Sequence, residues 1–394
     1  MKKVYLKTRF QGLPYHSLYE EIIQYPPKGY EIIVEKPRIT KKVHPAYLFD
    51  RELLSKPLLV KDLWYNVKPL LYVGTQKLMS AKHQHDCDLI YASQQVIFTK
   101  KPWVVDFEFA DALTGYGNIK VCRRVIQKAL ASRFCKKIMP WSEWAKRTLF
   151  SSLESSAFKE KVETVHLAVR QKHFSRRRRK NGLRLLFVGS ANPSNIFNFE
   201  LKGGYEVLEA FSRLSKKYQG IELAVRSYVP PDVWRKCSDC KNIKVIKSIL
   251  TREELANLYT SSDIFIFPSH ANLGMAILDA MSYELPVIAL GVYDVPEAIT
   301  DMKTGVLIKP SKQVPYYTWN GGHNYLDKRF LTEVRRTRPW LIDQLVEKTS
   351  LLIEDGSLRR NIAREARYEV EQGTFSIRQR NQKLAQIFGE ATRI

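Results

Sequence analysis

The chain has 394 residues, enough for two domains at ~100–200 residues each, so a single small binding module is excluded. Lys and Arg number 64 against 40 Asp and Glu, a formal net charge of +24, while 44% of the residues are hydrophobic. That apolar content excludes a disordered basic tail, and the charge predicts an anionic partner: nucleic acid, anionic lipid or a phosphorylated small molecule.

Five cysteines, Cys87, Cys122, Cys135, Cys237 and Cys240, are too few and odd in number for a disulfide framework, so a reducing, cytoplasmic setting is expected. The first residues, Met1-Lys2-Lys3-Val4-Tyr5-Leu6-Lys7, are basic but lack a following apolar stretch and do not read as a secretory signal. No run approaches the ~18 apolar residues of a membrane span. Membrane contact, if made, is expected to be peripheral.

In chain order, β-rich runs at 4–8, 31–34, 89–92 and 103–107 alternate with helical patterns, which predicts α/β layers on a parallel sheet. A helix is expected over 118–137. There Val121, Cys122, Val125, Ile126, Ala129, Leu130 and Phe134 make an apolar stripe beside seven cations and no acid. The segment 170–184 carries eight basic residues and no acidic one, including Arg176-Arg177-Arg178-Arg179-Lys180, and marks the domain boundary.

Beyond it the alternation restarts, with strands expected at 183–188, 221–225, 243–246, 263–267 and 286–290. The helix after Lys202-Gly203-Gly204 sets Val207, Leu208, Phe211 and Leu214 on one face. Thr251 and Glu254 are spaced as a capping box, and a further helix runs through Met281. The aromatic and basic stretch 311–339 reads as an inserted loop, and 341–394 as helical with turns at Asp355-Gly356 and Gly373. The expected domains are 1–170, a basic linker 171–182, and 183–373 with the insert 311–339. A C-terminal helix in 374–394 is expected to pack back on the first domain.

Seven blocks between Leu185 and Pro310 carry a family resemblance, in order. They are Phe187-Val188-Gly189 with Lys202-Gly203-Gly204; Thr251-x-x-Glu254-Leu255-x-x-Leu258-Tyr259; Ser262-Asp263-Ile264-Phe265-Ile266-Phe267-Pro268-Ser269; Gly274-Met275-Ala276-Ile277-Leu278-Asp279-Ala280-Met281; Pro286-Val287-Ile288-Ala289; Val295-Pro296-Glu297; and Thr304-Gly305-Val306-Leu307. This segment resembles the second domain of the family 4 glycosyltransferases. The first domain matches in style only, at Met139-Pro140-Trp141-Ser142-Glu143 and Val165-x-Leu167-Ala168-Val169.

The resemblance implies a GT-B architecture, two Rossmann-like domains facing each other across a cleft. It also implies retaining transfer of a sugar from a nucleotide diphosphate-sugar donor to an acceptor hydroxyl, without metal or other cofactor. Donor-binding residues would be Gly189, Ser190, Lys202, Ile249, Asn272, Leu273, Gly274, Met275 and Asp279. Lys202 supplies a point charge to the diphosphate, the Gly274 loop brings helix N-terminal amides to it, Asp279 meets the ribose and Ile249 the base. Catalytic roles fall to Lys202, Arg226 and Glu108.

Departures from the family pattern stand beside the match. The paired family glutamates are Ala271 and Asp279 here, the usual arginine after the strand glycine is Ser190, and Glu108 fills the slot of a first-domain histidine. Arg226 is the expected replacement for the missing cation. A silent nucleotide-sugar-binding relative therefore remains the alternative to an enzyme. For individual residues the alternatives are a surface lysine and turn at Lys202 and Gly274, a solvated Asp279, a loop-capping Glu108 and an ion-paired Arg226.

The segments 118–137 and 170–184 read either as solvated faces or as docking surfaces for an anionic membrane, which would make the acceptor a lipid-linked or membrane-surface glycan. Nucleic acid is not expected, because no motif interleaves stacking aromatics with the charge. His83-x-His85-Asp86-Cys87-Asp88 and Cys237-x-x-Cys240 are read as loops rather than metal sites.

Overall fold

The computed structural model describes residues 1–8, 17–34, 58–80, 86–175, 182–190, 197–237, 242–248, 250–316 and 328–393. The chain divides into two compact units, one from Met1–Ala168 and Ile377–Ile394, the other from Val169–Tyr316 and Asp327–Ser376.

The first unit contains β1 (Lys2–Lys7), α1 (Ser17–Gln24), β2 (Tyr30–Val34), α2 (Leu58–Ser80), β3 (Leu89–Ser93), β4 (Trp103–Phe107), α3 (Arg123–Ala131), β5 (Cys135–Pro140) and α4 (Glu143–Ser152). Its sheet runs β2-β1-β3-β4-β5 and is parallel throughout, with Tyr91 opposite Val104 and Val105 opposite Ile138. Every residue of β3 and β4 is buried, as expected for strands covered on both faces.

The basic segment 118–137 is not one helix. A 3-10 turn at Ile119–Cys122 leads into α3, which stops at Ala131. Ser132 turns extended, and Lys161 Nζ donates to the carbonyls of Leu130, Ala131 and Ser132 at 3.2, 3.1 and 2.8 Å. A cation on the last carbonyls closes a helix. The Trp103 amide then donates to the Phe134 carbonyl at 2.8 Å, and Cys135 begins pairing with β4. Lys136 and Lys137 thus lie on a strand, where Lys137 pairs with Glu163 at 2.8 Å and Glu390 at 3.1 Å.

The second unit contains β6 (Arg184–Val188), α5 (Phe197–Leu201), α6 (Gly204–Lys217), β7 (Glu222–Arg226), α7 (Pro231–Cys237), β8 (Ile243–Ile246), α8 (Arg252–Thr260), β9 (Ile264–Phe267), α9 (Met275–Ser282), β10 (Val287–Leu290), α10 (Val295–Ala298), β11 (Val306–Ile308), α11 (Lys328–Glu354) and α12 (Gly356–Glu371). The parallel sheet runs β11-β10-β9-β6-β7-β8. Counted from β6, this is the doubly wound order of dinucleotide-binding sheets, which reverses direction between β6 and β9. The capping box is formed: Glu254 N donates to Thr251 Oγ1 at 3.1 Å, and Thr251 N to Glu254 Oε2 at 2.7 Å.

The stretch 311–339 is not wholly a loop, because α11 begins at Lys328 and carries Pro339 within it. Phe330, Val334, Leu341, Ile342 and Leu345 form its buried stripe, which the intervening arginines mask in the sequence. Residues 317–327 lie outside the described residues, as do 176–181 of the basic run.

The last helix, α13 (Ile377–Ala391), belongs to the first unit. Leu384, Ile387 and Phe388 are buried, the Phe388 ring meets Tyr30 and Tyr91 edge-on, and Arg380 Nη2 donates to the carbonyls of Glu21 and Tyr25 at 3.3 and 2.9 Å. No described helix is long and apolar enough to cross a membrane.

Candidate functional site

Open α/β sheets bind ligands beyond the carboxyl ends of their strands, where strand order reverses. In the second unit that point lies past Val188 on β6 and Phe267 on β9. Gly189 closes β6, its amide donating to the Arg226 carbonyl at 2.9 Å. A Cβ there would stand 2.5 Å from Ser227 Oγ, so a side chain would have to displace Ser227. The Ser190 carbonyl accepts from Tyr228 N at 2.8 Å and Ser227 Oγ at 3.2 Å, which fixes the turn.

Arg226 ends β7 and reaches across to the Gly189 carbonyl, Nη1 at 3.3 Å. Its Nε is buried without a hydrogen-bond partner, and burial lowers the guanidinium pKa while nearby Tyr259 raises it. An unspent buried donor at the mouth of this crevice suits an anion.

Lys202 precedes α6, and its Nζ lies 5.3 Å from the centroid of the Phe267 ring at the end of β9. The two glycines after it have steric work. Gly203 has φ +79°, and a Cβ on it would meet the Pro268 carbonyl oxygen at 2.5 Å; a Cβ on Gly204 would meet the Phe199 ring at 2.4 Å. They let the amino end of α6 abut the end of β9 and hold Lys202 there. Gly274, the residue before α9, differs: its φ is −101° and a Cβ would make ordinary 3.8 Å contact with Phe267. The protein itself does not demand glycine at that position.

The loop between β9 and α9 is pinned from below. His270 N donates to the Leu201 carbonyl at 2.7 Å, Ala271 N to Ser269 Oγ at 3.2 Å, and Leu273 N to Asp294 Oδ1 at 2.6 Å. The buried His270 ring shares a 2.7 Å hydrogen bond between Nδ1 and the Tyr316 hydroxyl, and its Nε2 lies 3.7 Å from Glu206 Oε1. That last separation exceeds hydrogen-bond range, so its effect on Glu206 is electrostatic. Arg338 donates to Glu206 at 2.7 Å and to Glu200 at 2.8 Å, while Arg335 grips Glu200 with two bonds of 2.8 Å. Burial alone would raise the Glu206 pKa, but His270 and Arg338 outweigh it and hold the carboxyl below its ordinary value.

Asp279 sits on α9, half-buried, with Lys172 Nζ 3.7 Å from Oδ1. Burial raises its pKa, against the pull of Lys172 and Arg170. Lys172 also faces the Tyr283 ring at 5.7 Å, and Tyr283 stacks on Tyr259 at 5.2 Å. Two cations of the 170–184 run are therefore engaged at α9, and neither was assigned there from the sequence. Their signal was the unbalanced charge of that run.

In the first unit, Glu108 follows β4, and the Tyr116 hydroxyl hydrogen-bonds to its carboxylate and approaches Gln94 Oε1 at 3.0 Å. Beside it Asp106, which sequence reasoning missed, is buried on β4. It accepts from Tyr19 Oη at 3.0 Å, Tyr91 Oη at 2.9 Å, Trp141 Nε1 at 3.0 Å and Gln94 N at 3.1 Å. Burial pushes its pKa up to about 6, against the hydrogen bonds of Trp141, Tyr91, the Gln94 amide and Tyr19. The legible hint was an acid inside the apolar run Val104-Val105-Asp106-Phe107.

The structure thus places Gly189, Ser190, Lys202, Arg226, Asn272, Leu273, Gly274, Met275 and Asp279 in the second unit and Glu108 in the first. Ile249 lies outside the described residues, as do His83, His85 and Cys240. Asp86 and Asp88 both bind Lys3, its Nζ at 3.4 Å and its amide at 2.7 Å, tying the start of β1 to β3. Among the described residues no group of three His, Cys, Asp or Glu is placed to hold a metal ion.

Residues 182–315 match the family of glycosyl transferases group 1. The sulfoquinovosyl transferase SQD2 of Arabidopsis thaliana is 39% identical over 70 residues, 17% of this chain and 14% of that protein. The D-inositol 3-phosphate glycosyltransferase of Mycobacteroides abscessus is 37% identical over 59 residues, 15% and 13%. Both matches span a small part of the relative's length. Among solved structures, sucrose-phosphate synthase from Thermosynechococcus elongatus superposes with TM-score 0.63 at 13% identity, covering 99% of each chain. HepE of Anabaena in complex with UDP-glucose gives 0.59 at 13%, covering 99% of this chain and 100% of that one. WaaG, a glycosyltransferase involved in lipopolysaccharide biosynthesis, gives 0.59 at 16%, covering 98% and 99%. At these identities the likeness establishes the fold, the GT-B arrangement of two parallel-sheet α/β domains.

Proposed function

We propose that this chain, a GT-B protein whose residues 182–315 form a domain of the glycosyl transferases group 1, transfers a sugar from a nucleotide diphosphate-sugar to an acceptor hydroxyl. The observation that carries the reading is the pair of cations beside one strand-order reversal: Lys202 held at the end of β9 by Gly203, and Arg226 at the end of β7, with a buried, unspent Nε and its Nη1 on the Gly189 carbonyl that closes β6. Negative charge develops on the diphosphate as its bond to the anomeric carbon breaks. Preorganised cations and the amides that open α9 lower the barrier by receiving that charge. Asp279 accepts ribose hydroxyls. In the first unit Glu108, oriented by Tyr116, positions the acceptor hydroxyl or the sugar.

The transfer retains the anomeric configuration, uses no protein nucleophile and needs neither metal nor cofactor. The family's membership and the UDP-glucose held by HepE support a nucleotide-sugar donor. The lipopolysaccharide role of WaaG supports a lipid-linked or membrane-surface glycan as acceptor, met at the cytoplasmic face. The test is a thermal-shift screen of nucleotide sugars followed by transfer assays, because a ligand bound only by the native state raises its melting point. One donor is expected to stabilise the protein and to be consumed; absence of any shift overturns the reading.

A second reading, a silent nucleotide-sugar-binding relative, is favoured by Ala271 and by the occupation of Asp279 by Lys172. Donor binding without hydrolysis or transfer selects it.

A further inference from the structure

In the first unit a cavity of about 1120 Å³ opens between α2, the segment 97–100 and α3. Trp103 begins β4 and Phe134 immediately precedes β5, so the cavity lies at the amino-terminal end of the sheet, away from Glu108 at the carboxyl end. Its floor is buried Trp103, Ile97 and Ala129, and its walls are half-buried Phe98 and Phe134. Arg133 lies over Phe134 at 4.9 Å and steadies that ring. Around the rim stand Lys77, Lys100, Arg124 and Lys128, all exposed, and among the described residues no Asp or Glu lines the cavity. Four cations over an aromatic floor form a receptor for an anion joined to an apolar body.

The surface beside it identifies that body. Leu63, Leu70, Leu71 and Leu78 are each more than half exposed and fall on one face of α2, with Lys77 among them. Val121 on the 3-10 turn and Val125 on α3 are exposed as well. The two elements are joined, Asn118 N donating to the Tyr65 carbonyl at 2.9 Å and Asn118 Nδ2 to Asn66 Oδ1 at 2.8 Å. A soluble anion would fill the cavity and leave the leucines in water. A polynucleotide would use the cations and rings but likewise has no place for a leucine face. A bilayer uses both, since amphipathic surfaces lie with the apolar face in the acyl boundary and the cations at the headgroups.

We propose that the cavity binds the phosphate headgroup of an anionic phospholipid while the Leu63–Leu78 face of α2 enters the acyl boundary beside it. The inference names the surface behind the membrane-located acceptor proposed above, and in that sense rests on that reading; its site and its test are separate from sugar transfer. It also replaces the expected 118–137 surface: Arg124 and Lys128 take part, whereas Lys137 is spent on Glu163 and Glu390.

The full chain is floated with phosphatidylcholine vesicles and with vesicles also containing about 30% phosphatidylglycerol, with binding read as bound fraction against lipid. Anionic vesicles are expected to bind at least about tenfold more tightly. Arg124→Glu with Lys128→Glu should remove that preference. Leu71→Ser with Leu78→Ser should weaken binding to the anionic vesicles several-fold and remove whatever survives high salt. Donor hydrolysis and transfer to a soluble acceptor are measured in the same variants and are expected to be unchanged, so failed vesicle binding and failed transfer are read independently. Equal flotation with neutral and anionic vesicles, variants that float like the parent, or salt-sensitive binding to single-stranded RNA without vesicle binding each overturn the proposal.

Discussion

At the carboxyl ends of β6, β7 and β9 the second unit gathers Lys202, Arg226 and the paired Lys172 and Asp279, beside Gly203, where backbone leaves no room for a side chain. At the carboxyl ends of β3 and β4 the first unit gathers Asp106 and Glu108 with the hydroxyls of Tyr19, Tyr91 and Tyr116. Both sheets are parallel and doubly wound. The difference lies in the loops, which set cations at one end, the proposed site for phosphate charge, and carboxyl and hydroxyl groups at the other. A fold fixes where a ligand is held, and the side chains at strand ends decide its charge.

Removing the leading cation should break the comparison most severely. Lys202→Ala is expected to lower kcat for sugar transfer by about 10²–10³-fold, read by donor consumption; a loss under about threefold means that Lys202 does not meet the leaving group.

Acidity separates the units next, and with opposite sign. The Asp106 pKa is raised to about 6 in the folded protein, above its unfolded value near 4. The native state therefore holds the proton more tightly, and stability from this group falls as pH rises between those values, by about 3 kcal/mol in all. Glu206 and Glu200 are held below their ordinary values. Their stabilisation is fully present above the unfolded pKa and disappears as pH drops through the folded one. Melting followed from pH 4 to 7 should flatten in Asp106→Asn relative to the parent; identical profiles would refute the assignment.

The glycines sharpen the picture of the cation-bearing end. Gly203→Ala faces both positive φ and a carbonyl at 2.5 Å, and should cost about 2 kcal/mol in urea denaturation. Gly274→Ala has room for its methyl group and should change stability by less than about 0.5 kcal/mol, while weakening nucleoside diphosphate binding about tenfold. Equal destabilisation of the two variants would remove the distinction between a glycine required by packing and one required by ligand. Arg226→Ala, which removes the second cation, should likewise weaken donor binding by about tenfold in calorimetry, and unchanged affinity would sink its role.

Much of the second unit was legible because its signals are local. Apolar runs ending in Gly189 or Pro268, the Thr251–Glu254 spacing and the period of Val207, Leu208, Phe211 and Leu214 depend on neighbours within a turn or two. The failures came where distant groups override local pattern. The 118–137 stripe continues past Ala131 in sequence, yet Lys161 caps the helix there and β4 recruits the next residues. Arginines within 328–339 resemble a loop until Glu200 and Glu206 accept them and the segment winds into α11.

By itself the sequence determined two α/β layers, the order of the second unit's strands and helices, and the glycine and lysine positions at their ends. All follow from periodicity and from backbone sterics, which operate over a few residues. Only the tertiary structure decided which charges are spent and which are free. Lys172 on Asp279, Arg338 on Glu206 and Lys137 on Glu163 join residues far apart in the chain, whereas Arg226 keeps a buried donor unpaired and four cations ring an open cavity on the first unit. A count of charges cannot separate these cases, because an ion's value depends on what stands within a few ångströms of it.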